Sequence, residues 1–268
     1  MTTGLSFNGS DAGTSSYVAQ ISTMAVVDPL DDAFVTILPQ MITYAENRIY
    51  RDLDFLFTSL STTSYSLTTG SRQLDIYISP TMTPGPFVVP EQINLITPAG
   101  QTNPDLGTRV PLLPTTKEFL DAVYGNSTAT GQPKYWCPFD DYTFLVGPYP
   151  DNSYTVEFVG TYRPQSLGPS ASGDPNYPGY PNAAYTTTNT FISLYLPDLF
   201  IMASMIYISA YQRNFSSTMG NDPQMPISYE TQYQTLLKSA LSEENRKKFE
   251  AAAWSSQGAS TSATPTRG

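Results

Sequence analysis

Residues 133–164 read PKYWCPFDDYTFLVGPYPDNSYTVEFVGTYRP, and their pattern decides how the rest of the chain divides. Two strand-like runs, 141–146 and 154–162, are joined by Gly147-Pro148-Tyr149-Pro150-Asp151-Asn152-Ser153. Proline fixes φ in that cluster and glycine frees it, so the chain is expected to reverse there. In the second run Tyr154, Val156, Phe158 and Gly160 alternate with Thr155, Glu157, Val159 and Thr161, the period of a half-buried strand. The expectation is a β-hairpin with one face in a core.

Upstream of it the β pattern continues. Residues 62–67, a Thr68-Thr69-Gly70-Ser71 turn and residues 72–78, with Leu74, Ile76 and Ile78 on one face, read as a first hairpin. Residues 87–89 and 91–96 read as two further short strands, confined to edges or strand ends by Pro84, Pro86, Pro90 and Pro98. Within this region 115–124, TTKEFLDAVY, carries a Thr cap, an early Glu118 and an apolar face of Phe119, Leu120 and Val123, which predicts one or two helical turns.

Helical periodicity flanks the β region on both sides. Val18, Ile21 and Ala25 recur at helical spacing until Asp28-Pro29, after which Asp31-Asp32 can cap the next helix. Ile42, Ala45, Ile49 and Leu53 then form a stripe, with Glu46, Arg48, Arg51 and Asp52 placed off it and Pro39 expected to kink or restart the helix. Arg48 and Arg51 fit either a solvated face with an Arg48–Asp52 pair or contact with a neighbouring subunit. Downstream, 199–211 is apolar on nearly every side, the mark of a helix buried on more than one face. The last helix, after Pro223 and Pro226 with Asp222 or Ser228 as cap, has a stripe of Tyr229, Tyr233, Leu236, Leu237, Ala240 and Leu241. Beyond Leu241 that stripe ends, and Phe249 and Trp254 stand as large aromatics in a polar extension that either protrudes or docks.

Composition excludes several function classes. The chain has 268 residues, a net charge of -10, only 13% charged residues, and 19 Tyr, 13 Phe and 23 Pro. Sparse charge with abundant aromatics suits buried contact between subunits, and an acidic chain whose 13 Lys and Arg are scattered does not suit nucleic-acid binding. Histidine is absent, which removes the commonest general base, nucleophile partner and imidazole ligand. Lacking a His or cationic neighbour, Cys137 reads as a buried small side chain rather than a nucleophile. One cysteine also rules out an internal disulfide and suits a reducing cytoplasm. Asp140-Asp141 and Asp31-Asp32 are the carboxylate pairs available, but neighbours on a strand face opposite ways. No Gly-rich phosphate loop or calcium-loop pattern is seen. The expectation is therefore no catalytic, cofactor-binding or metal site. No signal peptide opens the chain and 199–211 is too short to span a bilayer, so it reads as a soluble protein.

The order of four features resembles the head-to-tail adaptor, or connector, proteins of short-tailed bacteriophages: Pro133-Lys134-Tyr135-Trp136, Gly147-Pro148-Tyr149-Pro150-Asp151, Tyr162-Arg163-Pro164, and a helix opening Pro197-Asp198-Leu199. Residues 42–53, ITYAENRIYRDL, are similar to that family's amino-terminal helix. The resemblance implies a structural virion protein of the neck, assembled in the host cytoplasm, that forms a ring, dodecameric in the family. Its implied partners are its own copies, the portal, the tail nozzle and possible tail-fibre proteins. DNA would pass through the channel without specific binding, and a carboxyl-terminal extension carrying Phe249 and Trp254 would reach the portal.

These readings give an α+β fold: a helical bundle from 17–60 and 191–250, an inserted antiparallel β-sandwich or barrel at 61–165, a flexible arm at 1–16 and an extended tail at 251–268. The Pro, Gly, Ser and Thr-rich loop 166–190, with Asp174 as its single charge, is either a disordered surface loop or one that serves a partner. The rival function is a carbohydrate- or protein-binding β-sandwich module of a tail or secreted protein, using surface Tyr and Trp. Three helical segments weigh against it.

Overall fold

The computed structural model describes residues 4–9, 13–76, 87–101, 103–169, 176, 188–212 and 225–260. In chain order the elements are β1 (Gly4–Ser6), β2 (Thr14–Ser16), α1 (Tyr17–Ala25), α2 (Asp32–Asp52), β3 (Ser59–Leu67), β4 (Gln73–Asp75), β5 (Phe87–Thr97), β6 (Thr108–Pro111) and β7 (Leu113–Pro114). There follow α3 (Lys117–Tyr124), β8 (Thr130–Gly131), β9 (Tyr135–Pro138), β10 (Thr143–Gly147), β11 (Tyr149–Pro150), β12 (Tyr154–Tyr162), α4 (Phe191–Tyr195), α5 (Pro197–Gln212) and α6 (Met225–Ser260). The fold is mixed α+β. It forms two compact units, one of Met1–Leu56 with Gln165–Gly268, the other Phe57–Pro164.

In the helical unit α5 packs against α1, α2, α4 and α6. Its apolar circumference explains this central place: Leu199, Phe200, Ala203, Met205 and Ile208 are all buried. Tyr17 of α1 stacks on Phe200 at 4.8 Å and donates its hydroxyl to Ser204 Oγ at 2.6 Å, so a polar atom deep in the core has a partner. The expected stripe of α2 is buried in full. Asp31 caps α2 by accepting from the amides of Ala33 and Phe34, and the helix runs unbroken through Pro39 instead of restarting there. Thr190 and Ser193 close a capping box on α4. Arg48 makes the expected contact with Asp52 at 3.7 Å, but its shorter bond is to Glu230 of α6 at 2.6 Å, with its guanidinium 4.3 Å from the Tyr233 ring centroid.

Three expectations for this unit change. The segment 1–16 is not a free arm where it is described: β1 and β2 pair in parallel, and Leu5, Ser6 and Phe7 are buried. Phe7 donates its amide to Thr188 O, and a Cβ at Gly4 would meet the backbone of Leu194. Glu46 belongs to the buried face of α2 rather than its solvated side. Of the α6 stripe Tyr233 and Ala240 are buried and Leu241 is exposed, and packing continues past it through one polar residue, since Glu244 is buried one turn beyond Ala240. Most of the 166–190 loop lies outside the described residues, but its beginning, Leu167, is buried.

The other unit holds two four-stranded sheets, ordered β3-β12-β5-β6 and β4-β10-β9-β7, and a small β11-β8 pair. Both four-stranded sheets feed one hydrophobic core that includes Leu67, Leu74, Ile93, Leu95, Trp136, Phe144, Val156 and Phe158. Phe158 sits at its centre, 4.7 Å from the Phe87 ring and 5.6 Å from Phe144.

Neither expected hairpin forms. The runs 141–146 and 154–162 contribute β10 and β12, which lie in different sheets. The connector between them carries two prolines without N–H groups, and its Tyr149–Pro150 pairs in parallel with β8, so it carries the chain across the core instead of folding it back. β10 turns instead against β9, where Asp140 Oδ1 accepts from the amides of Tyr142 and Thr143 at 2.8 and 2.7 Å. Likewise β3 pairs with β12 and β4 with β10, so residues 59–75 cross between sheets at Gly70, which has φ 74°. Ile78 lies outside the described residues. The sheets are not wholly antiparallel, since β7 runs parallel to β9.

The two short strands expected at 87–89 and 91–96 are one strand, β5, that passes through Pro90. Pro90 is tolerated because β6 pairs only with Asn94–Thr97, leaving that side of β5 open at residue 90. Facing it, Gly160 has no room for a side chain, as a Cβ would stand 2.4 Å from Val89 O. Thr116 caps α3 as expected, but of its apolar face only Leu120 is buried, with Phe119 and Val123 exposed.

Candidate interaction surfaces

The far part of α6 is where the sequence places a docking site. On the packed side Glu244 Oε2 accepts the Leu56 amide at 3.3 Å while Oε1 accepts from Lys247 Nζ at 2.7 Å. Lys247 lies 5.7 Å from the Phe191 ring, and Lys248 pairs with Asp54. The helix is therefore tethered to its own unit as far as Lys248. Phe249 faces away, 74% exposed. Trp254 is on the same continuous helix, its side chain outside the described ones.

A second exposed feature is the α1–α2 connection, VVDPLDD at 26–32. Val26 ends α1 in the left-handed region, φ 56° and ψ 44°, and is 88% exposed. Leu30 is also exposed. Asp28 Oδ1 accepts the Leu30 amide at 2.9 Å and Asp31 caps α2, so the loop is held in shape by its own carboxylates. Composition points to interfaces in general and the sequence reading does not single out this loop; the local signal available is an apolar pair among acids next to Pro29.

The third is an open pocket of about 410 Å³ in the β-rich unit, lined by Arg72, Lys117, Phe139, Leu145 and Tyr149 among others. Arg72 and Lys117 share the single carboxylate of Asp121, at 2.8 and 2.5 Å, and their hydrogen bonds hold Asp121 below the usual carboxylate range, Lys117 contributing most.

The buried carboxylates are structural in their contacts. Burial pushes Glu46 up to about 7, against hydrogen bonds from Ser166, Leu167 and Thr190. Glu157 accepts from Asn94, Arg109 and Ser61, bonds that hold it below its ordinary range although burial pushes the other way. Cys137 is buried and burial raises its thiol. Asp140 serves its turn, and its acceptance of the Tyr142 and Thr143 amides lowers it. Among the described residues no group of three or more His, Cys, Asp or Glu is placed to hold a metal ion, and no described helix is long and apolar enough to cross a membrane.

The family model described as SU10 adaptor protein matches residues 17–261. The chain belongs to the SU10 adaptor protein family. No curated protein matches it. The family suits a phage head–tail adaptor, a structural component of the virion that interacts with other head and tail proteins. As an SU10 adaptor the chain is expected to work through surfaces rather than a reaction centre, and the matched span takes in the α1–α2 loop, the basic pocket and Phe249.

Proposed function

We propose that this SU10 adaptor forms a cyclic ring, dodecameric in its working state, that joins the portal to the tail nozzle and gives DNA a channel during genome ejection. Family membership over residues 17–261 is the observation that carries the reading. Two further features support it. Exposed apolar side chains occur on both compact units, on the α1–α2 loop and around the 410 Å³ pocket, and a closed ring needs two different faces per subunit. A net charge of -10 favours a channel to which passing DNA does not adhere.

The tail of α6 is the portal-docking element in this reading. Phe249 is the exposed aromatic past the last tether and Trp254 follows along the same helix; large aromatics in an otherwise polar extension suit interface anchors. The test is native mass spectrometry and electron microscopy of the full chain with and without purified portal. Twelve-fold rings seated on the portal are expected. Absence of cyclic symmetry at the neck of isolated virions would overturn the ring.

A further inference from the structure

We propose that the α1–α2 loop of one subunit seats in the Arg72–Lys117 pocket of the next, Val26 and Leu30 packing on its apolar wall while the loop's aspartates face its two cations. This rests on the ring reading and names the contact that would close it.

Val26 is the observation that starts the argument. It is the one non-glycine residue with positive φ among the described residues. Its amide reaches back to Ser22 O and Thr23 O, a helix ending that glycine makes without strain. A β-branched residue is disfavoured there, because its Cβ crowds the backbone. Here the strained residue also holds its isopropyl group in water, 88% exposed. Within the isolated subunit it gains nothing from either, and such strain marks a functional position. Leu30, 60% exposed, stands four residues on, beyond Pro29. The bonds from Asp28 to Leu30 and from Asp31 to Ala33 and Phe34 fix the loop before any partner arrives, so little ordering cost remains on binding.

Charge selects the occupant. The loop carries Asp28, Asp31 and Asp32, all exposed, and no Lys or Arg precedes Arg48 in the chain. The pocket sets two cations against one carboxylate, Asp121, which leaves it a positive excess on a chain of net charge -10. It also offers Phe139 and Tyr149 as apolar wall, with Leu145 nearly buried beneath. Loop and pocket lie on different compact units, so a copy that gives its loop to one neighbour keeps its pocket for another. That is a heterologous contact, the kind that closes into rings.

The experiment follows assembly of the full-length chain by native mass spectrometry across concentration, alone and with portal rings, with melting temperature as the folding control. Val26→Gly should raise the monomer's melting temperature yet require about tenfold more protein to assemble. Lys117→Glu and Asp32→Lys should each weaken assembly, with Lys117→Gln as a milder form, and the two reversals combined should recover it. Mixing Val26→Gly with Lys117→Glu should give dimers that neither forms alone, since one contact between them is intact. If wild type assembles and these variants assemble at the same concentration, or the reversed pair shows no recovery, the contact is wrong while the ring stands. Loss of portal binding with unchanged self-association would assign the loop to the portal and overturn the proposal. A wild type that stays monomeric even with portal removes the ring and this contact together.

Discussion

Glu46 Oε1 accepts the backbone amide of Leu167 at 3.2 Å although 121 residues separate them. The bond ties the middle of α2 to the point where the chain returns from the β-rich unit, and it does so inside the core. Burial raises the carboxyl to about 7. A carboxyl raised in the folded state contributes stability that is complete below its unfolded value, near 4.3, and is lost as pH rises through about 7. Glu46→Gln keeps an oxygen acceptor for Leu167 and has no proton to lose. Its melting temperature should exceed wild type at pH 8 by the equivalent of roughly 3 kcal/mol, and the difference should shrink towards pH 5. Thermal melts at both values check this, and parallel pH curves for the two proteins would show that Glu46 does not titrate in this range.

Glu244 should matter to folding rather than to portal contact. Glu244→Ala strips the Leu56 amide of its side-chain acceptor and leaves Lys247 with Glu243 alone, at a cost of about 1–3 kcal/mol by urea unfolding. Truncation after Leu241 should therefore lower monomer stability, and cannot by itself report on docking.

Truncation after Phe249 is the clean cut, because the tethers through Lys247 and Lys248 remain. It should leave the melting temperature nearly unchanged and weaken portal binding, as should Trp254→Ala, by on the order of 2 kcal/mol if that tryptophan fills a portal pocket. Portal affinity measured by interferometry decides it; full affinity after truncation would make the tail idle.

Gly160→Ala should destabilise the β-rich unit by about 1–3 kcal/mol, since the new methyl meets Val89 O in the middle of the β5–β12 ladder. Calorimetry of the variant measures it directly.

At the β9–β10 turn, Asp140→Asn should leave the melting temperature near wild type, because the amide oxygen still accepts from Tyr142 and Thr143. Asp140→Ala should lower it. Asp140 is held low in the fold, so its contribution is present above the unfolded carboxylate value and is lost as pH falls; wild type should therefore lose stability in acid relative to both variants, while the gap between the two variants stays constant.

The amino-acid sequence by itself determined the longer helices and the runs that became β3, β4, β5, β10 and β12, though not the other short strands or α4. It also determined the buried stripe Ile42, Ala45, Ile49 and Leu53, the caps at Asp31 and Thr116, and the acidic, histidine-free chemistry that points away from catalysis. These are written locally, in spacings of two, three and four residues. Which strands pair was decided only in the tertiary structure. Period-2 alternation marks a strand's two faces and is silent about its neighbour, so β10 and β12 look like a hairpin until a proline-bearing connector carries one across the core. The same holds for Glu46, which lies off the apolar stripe of its helix, and for Glu244, which lies in the polar stretch past Leu241. Both are buried because a distant backbone amide, Leu167 or Leu56, arrives needing an acceptor, and no local pattern records the arrival of a group more than a hundred residues away. Val26 completes the contrast: the sequence shows a valine before an Asp-Pro stop, and only the folded backbone shows that it ends its helix left-handed, in the open.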